Sequence, residues 1–153
     1  ALPIESAAET VSKTIAGFSA APPADRFAEV REAIDRLFAF DSVEAILAAL
    51  ANEGSDFAQK TSETMQAKSP TSLKVTLALL RLGRASGDIE QCLEHEFAAC
   101  AAVLKSDDFY EGIRAAIIDK DRNPHWAPAA LPDVGQDIIA RYLTPHPRPL
   151  FAR

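Results

Sequence analysis

The sequence is poor in cysteine, and this limits the chemistry that it can encode. Only Cys92 and Cys100 occur among the 153 residues, and both fall in one predicted helix. At 1.5 Å per residue they lie roughly 12 Å apart along the helix axis, which is too far for a disulfide. We expect two free, buried thiols, which fit a reducing compartment such as the cytoplasm or the mitochondrial matrix, and we assign the cytoplasm.

Basic clusters and long apolar runs are also missing. The 16 Lys and Arg are outnumbered by 22 Asp and Glu, which gives a net charge of -6. Nucleic-acid binding requires clustered cations, so no nucleic-acid partner is expected. No apolar run approaches the roughly 20 residues of a membrane span, and no membrane partner is expected. The sequence begins with Ala1 instead of an initiator Met, and its first residues do not resemble a signal peptide. We therefore expect that it begins at a cut within a longer polypeptide.

Motifs for phosphate cradles, nucleophile elbows and metal sites are absent too. The six glycines never take a G-x-G or P-loop spacing, and no G-x-S-x-G occurs. His95 and Glu96 begin a zincin-like motif, but Ala99 replaces its second His, so no metal site is predicted. We interpret the triplet of Glu94, His95 and Glu96 as a solvated face rather than an acid/base pair.

The abundant residues are Ala and Leu, and they predict an all-α fold. Hydrophobic residues make up 48% of the chain but aromatic residues only 7%, which favours helix over sheet. Apolar residues recur with the helical period almost from end to end, and no segment predicts a convincing strand. We therefore predict an irregular bundle of about seven to eight helices. They cover about residues 4–18, 27–38, 42–53, 55–68, 70–83, 89–104, 107–118 and 135–143.

Polar and small residues mark the ends of these helices. Helices begin readily at residues whose side chains accept from free backbone N–H groups, and they end readily at glycine. The predicted boundary residues are Ala21-Pro22-Pro23 as a break, Asp41 with Glu44 as a capping box, Gly54 as a stop, and Ser69-Pro70, Asp88 and Ser106 as starts.

The stretch from Asp107 to Trp126 holds the candidate binding residues. Asp107, Asp108 and Glu111 are interpreted as acids that complement the positive end of a helix. Lys120 and Arg122 can meet the phosphates of a nucleotide-like ligand, or they can complement the helix C-terminus. A Trp in a Pro-bounded loop is typical of an anchor. Gly112 costs roughly 1 kcal/mol in a helix, which helix packing or close approach of a ligand would explain.

Two stretches resemble the 3-hydroxyisobutyryl-CoA hydrolases, a branch of the enoyl-CoA hydratase/isomerase (crotonase) superfamily. The first is Ser69-Pro70-Thr71-Ser72-Leu73-Lys74. The second runs from Asp108-Phe109-Tyr110-Glu111-Gly112-Ile113-Arg114-Ala115 through Ile118-Asp119-Lys120-Asp121 to Pro124-His125-Trp126. The resemblance covers residues 35–134 well and the first thirty loosely.

The resemblance implies the C-terminal helical part of a crotonase-type enzyme without its ββα-spiral core. In that family the core holds the oxyanion hole and the acid/base carboxylates, so it implies no catalytic residue here. The implied parent enzyme hydrolyses a 3-hydroxyacyl-CoA thioester in valine breakdown, with CoA as part of the substrate and no separate cofactor. Lys120 and Arg122, with Lys74 as a weaker candidate, are the predicted contacts to CoA phosphates.

The implied organisation has three parts, and two other functions stay open. Residues 1–20 are predicted to continue a missing core, residues 21–144 to form the C-terminal helical domain, and residues 145–153 to form a Pro-rich tail. The expected partners are the acyl-CoA substrate, the missing core and a second copy in a homo-oligomer. The alternatives are the same region of an enoyl-CoA hydratase or isomerase, and a free-standing helical interaction module.

Overall fold

The computed structural model describes residues 4–19 and 27–151, with side chains of the first range described from residue 8 onward. Every regular element in these ranges is helical, which confirms the all-α prediction for the described part of the chain. The α-helices are α1 Ile4–Gly17, α2 Arg31–Leu37, α3 Val43–Glu53, α4 Asp56–Gln66, α5 Pro70–Ala85, α6 Ile89–Val103, α7 Asp107–Ile113 and α8 Gln136–Leu143. A π-helical turn covers Arg114–Ile118, and a short 3₁₀ helix covers Leu131–Asp133.

The chain divides into two compact units, residues 1–34 and residues 35–153. The first unit contains α1, on which Val11 and Ile15 share one face and are exposed. The predicted break at Ala21-Pro22-Pro23 lies outside the described residues. The second predicted helix starts later than expected, because residues 27–30 form a turn before α2.

The core of the second unit is organised around α5. This helix contacts α3, α6 and α8, while α3 also packs on α4 and α6 also packs on α8. Apolar side chains fill the space between these helices because their burial removes apolar surface from water. The buried apolar residues include Leu37, Val43, Ile46, Leu50, Ala58, Val75, Ala98, Ala99, Ala115, Val134 and Ile139.

Of the predicted boundary residues that the structure describes, Gly54, Ser69, Asp88 and Ser106 are confirmed, and Asp41 is wrong. The Oγ of Ser69 accepts from the N–H of Ser72 at 3.1 Å, and Asp88 and Ser106 cap α6 and α7 in the same way. Gly54 ends α3 with a φ of 78°, the left-handed conformation that favours glycine. The predicted cap Asp41 is displaced by Ser42, because the next residue is equally able to cap and takes the extended backbone that a cap needs.

Helical periodicity predicts a buried seam along α6, and this prediction is wrong in part; the seam comprises Ile89, Cys92, Leu93, Phe97, Cys100, Ala101 and Leu104. Ile89, Leu93 and Leu104 are exposed, whereas the small residues Ala98 and Ala99 are buried. α6 lies against both α5 and α8, and side chains without bulk let helices approach closely. The predicted burial of the two thiols is also wrong, because the cysteines belong to this predicted seam. Both cysteines are free, but Cys92 is half-buried and Cys100 is exposed.

The segment after α8 returns to α6. The rings of Phe97 and His146 meet edge to face at 4.8 Å, and the N–H of Phe151 donates to Glu94 Oε1 at 3.0 Å. Glu94 and His95 are half-buried, so only Glu96 of the predicted solvated triplet is exposed. No helix in the described ranges combines the length and the apolar character that crossing a membrane requires.

Candidate functional site

The segment from α7 to residue 127 contains a cluster of charged side chains that are joined by hydrogen bonds. α7 begins where the Oγ of Ser106 accepts from the N–H of Phe109 at 3.3 Å. The helix then widens into the π-helical turn Arg114–Ile118 before the chain leaves it. Such turns are rare and occur frequently at functional sites. We call residues 119–123, which follow this turn, the cation loop.

Arg114, the first residue of the π-helical turn, holds the cation loop in place. A guanidinium has five N–H donors in a fixed planar arrangement, and here all five are used. The acceptors are the Glu111 carboxylate at 2.8 Å from both Nε and Nη2, the Asp119 and Asp121 carboxylates at 2.7 Å from Nη1, and the Asn123 carbonyl at 3.1 Å from Nη2. One side chain therefore joins α7 to three residues of the loop.

These hydrogen bonds fix the charge state of the cluster. The donors of Arg114, followed by the N–H of His125 at 2.7 Å, lower the pKa of Glu111 from 4.5 to about 2. Arg114 and then the N–H of Asn123 also lower the pKa of Asp121, and the three carboxylates raise the pKa of Arg114 further. Glu111 and Asp121 therefore stay ionised near neutral pH, so they bind Arg114 rather than exchange protons.

Asp108 anchors the far end of the same segment. Its carboxylate accepts from Ser69 Oγ at 2.5 Å and from the N–H of Ala127 at 2.9 Å. The interpretation of Asp108 and Glu111 as acids that merely complement a helix N-terminus is therefore incomplete. Each of them connects residues 119–127, which we call the loop region, to a neighbouring element. Of the three acids, only Asp107 is exposed.

Trp126 anchors this loop region, as the sequence predicts. Its Nε1–H donates to the carbonyl of Ala67 at 3.2 Å. Its ring lies over Gly112, where a Cβ atom would stand 3.5 Å from Cη2 of the indole. A Cβ atom at residue 112 would thus make only ordinary contact with the indole, and in the described part of the chain no backbone of another element lies within 4 Å of that position.

Lys120 and Arg122, the two principal predicted site residues, lie together on the cation loop. Both adopt left-handed backbone, with φ of 57° and 54°. Both side chains are exposed, and neither forms a hydrogen bond or ion pair with any residue in the described ranges. A non-glycine residue pays roughly 1–2 kcal/mol for this conformation. Left-handed residues in a constrained segment cluster at binding sites.

Lys74, the third predicted site residue, lies elsewhere. Its Nζ is 2.8 Å from Glu44 Oε1 and 3.3 Å from the carbonyl of Val134, and the side chain is only 17% exposed. It borders a groove of about 420 Å³ formed by α3, α5 and α8, and neither Lys120 nor Arg122 lines this groove. Lys74 lowers the pKa of Glu44 and has its own charge compensated there.

A second groove, of about 430 Å³, adjoins the π-helical turn. It is largely apolar, and Trp126 and Gly112 form part of its wall. Its other apolar residues come from α5 to α8 and include Leu73, Val103, Phe109, Ile113, Ile117 and Tyr142. In the described part of the chain, no group of His, Cys, Asp and Glu side chains is arranged to hold a metal ion.

Arg114 is the central residue of this cluster, and the sequence does not single it out as a candidate. Arg114 lies three residues after Glu111, a spacing that brings side chains together on a helix. Two further carboxylates follow at Asp119 and Asp121. This run of three acids around one arginine was the available signal. It does not predict the cluster, because an α-helix gives no reason to expect residues 114 and 119 to meet.

Comparison with known proteins places these features in a family. The family described as enoyl-CoA hydratase/isomerase matches residues 2–143. The mitochondrial 3-hydroxyisobutyryl-CoA hydrolase of Xenopus tropicalis is 43% identical over 117 residues, which is 76% of this chain and 30% of that protein. The small ribosomal subunit protein mS47 of Arabidopsis thaliana is 41% identical over 121 residues, 74% of this chain and 29% of that protein.

Solved structures give the same grouping. A carnitinyl-CoA dehydratase from Mycobacterium thermoresistibile superposes with a TM-score of 0.85 at 33% identity, covering 94% of this chain and 41% of the enzyme. An enoyl-CoA hydratase from Rhodobacter sphaeroides gives a TM-score of 0.73, also at 33% identity, covering 94% of this chain and 44% of the enzyme. The chain spans about three tenths of the length of the curated relatives. By its sequence and its fold, the chain belongs to the enoyl-CoA hydratase/isomerase family.

Proposed function

We propose that these residues form the helical cover and assembly region of an acyl-CoA thioester hydrolase similar to 3-hydroxyisobutyryl-CoA hydrolase. The proposal follows the names of the curated relatives, of which the chain spans about three tenths. The catalytic core is proposed to lie outside the 153 residues. Hydrolysis of a thioester requires preorganised donors to the developing oxyanion, and that core would supply them.

The observation that carries the proposal is the pair of uncompensated cations on the cation loop. CoA is a polyanion, and an ammonium or guanidinium gains charge-assisted hydrogen bonds to phosphate. Lys120 and Arg122 are exposed and unpaired among the described residues, whereas Lys74 is paired with Glu44. We therefore assign the phosphate contacts to Lys120 and Arg122 and leave Lys74 as a secondary candidate.

A second candidate is the corresponding region of a hydratase or dehydratase acting on an acyl-CoA. The names of the two solved structures favour it. The ligands of both candidates are CoA thioesters, so phosphate contacts from the cation loop are compatible with either one. Release of free CoA thiol by the complete enzyme supports the hydrolase, whereas hydration of an enoyl-CoA without thiol release supports the alternative.

The first test asks whether this chain catalyses anything alone. We expect no thiol release from 3-hydroxyisobutyryl-CoA, because the donors to the oxyanion are proposed to lie outside these residues. Released thiol would be followed with a thiol-reactive dye at several protein concentrations. A rate above background that rises with protein concentration would contradict the placement of the catalytic core outside these residues.

The second test concerns the phosphate contacts. In the complete enzyme, Lys120→Ala and Arg122→Ala should each raise KM about tenfold, the equivalent of losing about 1.4 kcal/mol of charge-assisted binding. kcat should stay unchanged, because the phosphates lie far from the reacting carbon and bind equally in the ground and transition states. Steady-state kinetics and thermal melting would be measured for each variant.

Lys105→Ala is the matched control for this test. Lys105 is an exposed cation just after the end of α6, so its charge also faces a helix C-terminus. Removing it should lower stability by roughly 0.3–1 kcal/mol without affecting KM. If Lys120→Ala and Arg122→Ala behave like this control, they merely complement a helix end and the proposed contact is wrong.

A further inference from the structure

The cation loop contains as many acids as bases, yet its charges are separated in space. Asp119 and Asp121 alternate with Lys120 and Arg122 along the chain. Both carboxylates turn to Arg114 Nη1, at 2.7 Å each. The side chains of Lys120 and Arg122 remain exposed. A mixed-charge tetrapeptide is thereby converted into a surface that presents two cations.

This separation depends on the geometry of a guanidinium and not on its charge alone. All five donors of Arg114 are used, and they act in several directions from one planar group. A lysine ammonium has three donors at a single point and cannot reach Glu111, both loop carboxylates and the Asn123 carbonyl together. The side chains of Arg114 and Glu111 are only 28% and 19% exposed, so this pair is partly shielded from water.

The backbone of the loop needs this support. Lys120 and Arg122 both occupy left-handed backbone, which costs energy for residues with a Cβ atom. Two further bonds close the loop: the N–H of Arg122 donates to the Ala115 carbonyl at 3.1 Å, and the N–H of Asn123 donates to Asp121 Oδ1 at 2.9 Å. The second of these bonds uses a carboxylate that Arg114 holds in place.

We propose that Arg114 is a positioning residue that preorganises Lys120 and Arg122 for the phosphates of CoA. It binds no ligand itself, because its donors are already occupied. It withdraws Asp119 and Asp121 from the two cations and holds the strained loop in the binding conformation. This inference rests on the proposed function, since it assumes that Lys120 and Arg122 contact phosphate.

Binding of CoA to the complete enzyme, measured by titration calorimetry and compared with the enzyme carrying the unmodified chain, tests the proposal. Arg114→Lys keeps the charge but loses the geometry, and we expect affinity to fall about tenfold because the competent loop conformation becomes a minor one. The matched control is Arg36→Lys, which alters another arginine ion pair, that with Glu53 at 3.1 Å. The control should bind CoA as the unmodified chain does.

A second variant separates positioning from simple electrostatics. Asp119→Asn combined with Asp121→Asn makes the loop more positive by two charges. Summed charge alone predicts tighter binding of a polyanion. Our proposal predicts weaker binding, because the neutral amides hold Arg114 less strongly and release the loop. This variant also remains informative if Arg114→Lys impairs folding, which melting followed by circular dichroism would reveal.

Lys120→Ala combined with Arg122→Ala distinguishes the two levels of the proposal. If this variant binds CoA as well as the unmodified chain, the phosphate contact is wrong and the positioning role falls with it. If it weakens binding but Arg114→Lys does not, or if the double Asn variant binds more tightly, only the positioning role is overturned. Weaker binding in all three variants supports both.

Discussion

At the scale of single residues, Glu111 shows how one ionised side chain can join two elements. Its carboxylate accepts from the Arg114 side chain on α7's continuation and from the N–H of His125 in the loop region. Both bonds favour the ionised form, which is why the pKa of Glu111 falls to about 2. Protonation of Glu111 would weaken these bonds, so the stability of this region depends on pH.

The pH dependence follows from the direction of that shift. Because the pKa of Glu111 is lower in the folded chain than the ordinary 4.5, its stabilising effect is fully present above about pH 4.5 and is lost as the pH falls towards about 2. Glu111→Gln should lower the melting temperature near neutral pH. On acidification, the melting temperature of this variant should fall by less than that of the unmodified chain. Thermal melting across this range measures both effects.

Glu96→Gln provides the control for the acid titration. Glu96 is an exposed residue of α6 that accepts no hydrogen bond from the described part of the chain. Its substitution should leave the melting temperature and its acid dependence nearly unchanged. If Glu111→Gln and Glu96→Gln give the same curve, the Glu111 carboxylate does not stabilise the fold as argued.

At the scale of helices, the two glycines at 112 and 54 predict opposite effects of the same substitution. Gly112 lies inside α7, and an added Cβ would make ordinary contact with Trp126 at 3.5 Å. Gly112→Ala should therefore stabilise the chain by about 0.5–1 kcal/mol, since alanine loses less backbone freedom on folding. Gly54→Ala should destabilise it by about 1 kcal/mol, because φ of 78° at the end of α3 disfavours a Cβ atom.

Chemical denaturation of the two variants decides between the explanations for Gly112. A stabilised Gly112→Ala variant means that no close backbone or ligand required the glycine. A loss of stability as large as that of Gly54→Ala would contradict the packing described here. A stabilised variant with weaker CoA binding would instead indicate a ligand close to α7.

The same scale shows which features of the fold the sequence can predict. Periodicity and local capping chemistry act within one helix, so the boundaries at Gly54, Ser69 and Ser106 could be predicted. The buried face of α6 could not, because it depends on how closely α5 and α8 approach, and small residues at 98 and 99 permit that approach. A size-based seam through Ile89 and Leu93 selected exposed side chains instead.

The candidate site divides in the same way. Lys120 and Arg122 could be proposed from the sequence because they stand in the stretch that resembles the family, and their contact with phosphate stays a prediction. Arg114 could not, because its contacts exist only after the π-helical turn has brought residues 119–123 back to it. Lys74 is a candidate because of the motif in which it stands. The packing of α3 on α5, which the sequence does not show, brings Glu44 to it and compensates its charge.

At the scale of the whole molecule, the second unit exposes several large apolar side chains. Leu80, Ile89, Ile117 and Ile118 are each between 64% and 70% exposed. Single exposed apolar residues are ordinary, but adjoining ones such as Ile117 and Ile118 are typical of surfaces that contact another body. If the proposed core covers this region in the complete enzyme, the chain alone should bury these side chains by self-association.

Sedimentation velocity over a range of protein concentrations tests this last expectation. We expect the average mass to rise with concentration and a hydrophobic dye to bind, because association removes apolar surface from water. Replacing Ile117 and Ile118 with serine should shift the chain towards monomer, while the exposed pair Thr64 and Gln66 on α4, also replaced with serine, should have no such effect. A monomer at every concentration, without dye binding, would mean that these side chains tolerate solvent and that no covering core is needed to explain them.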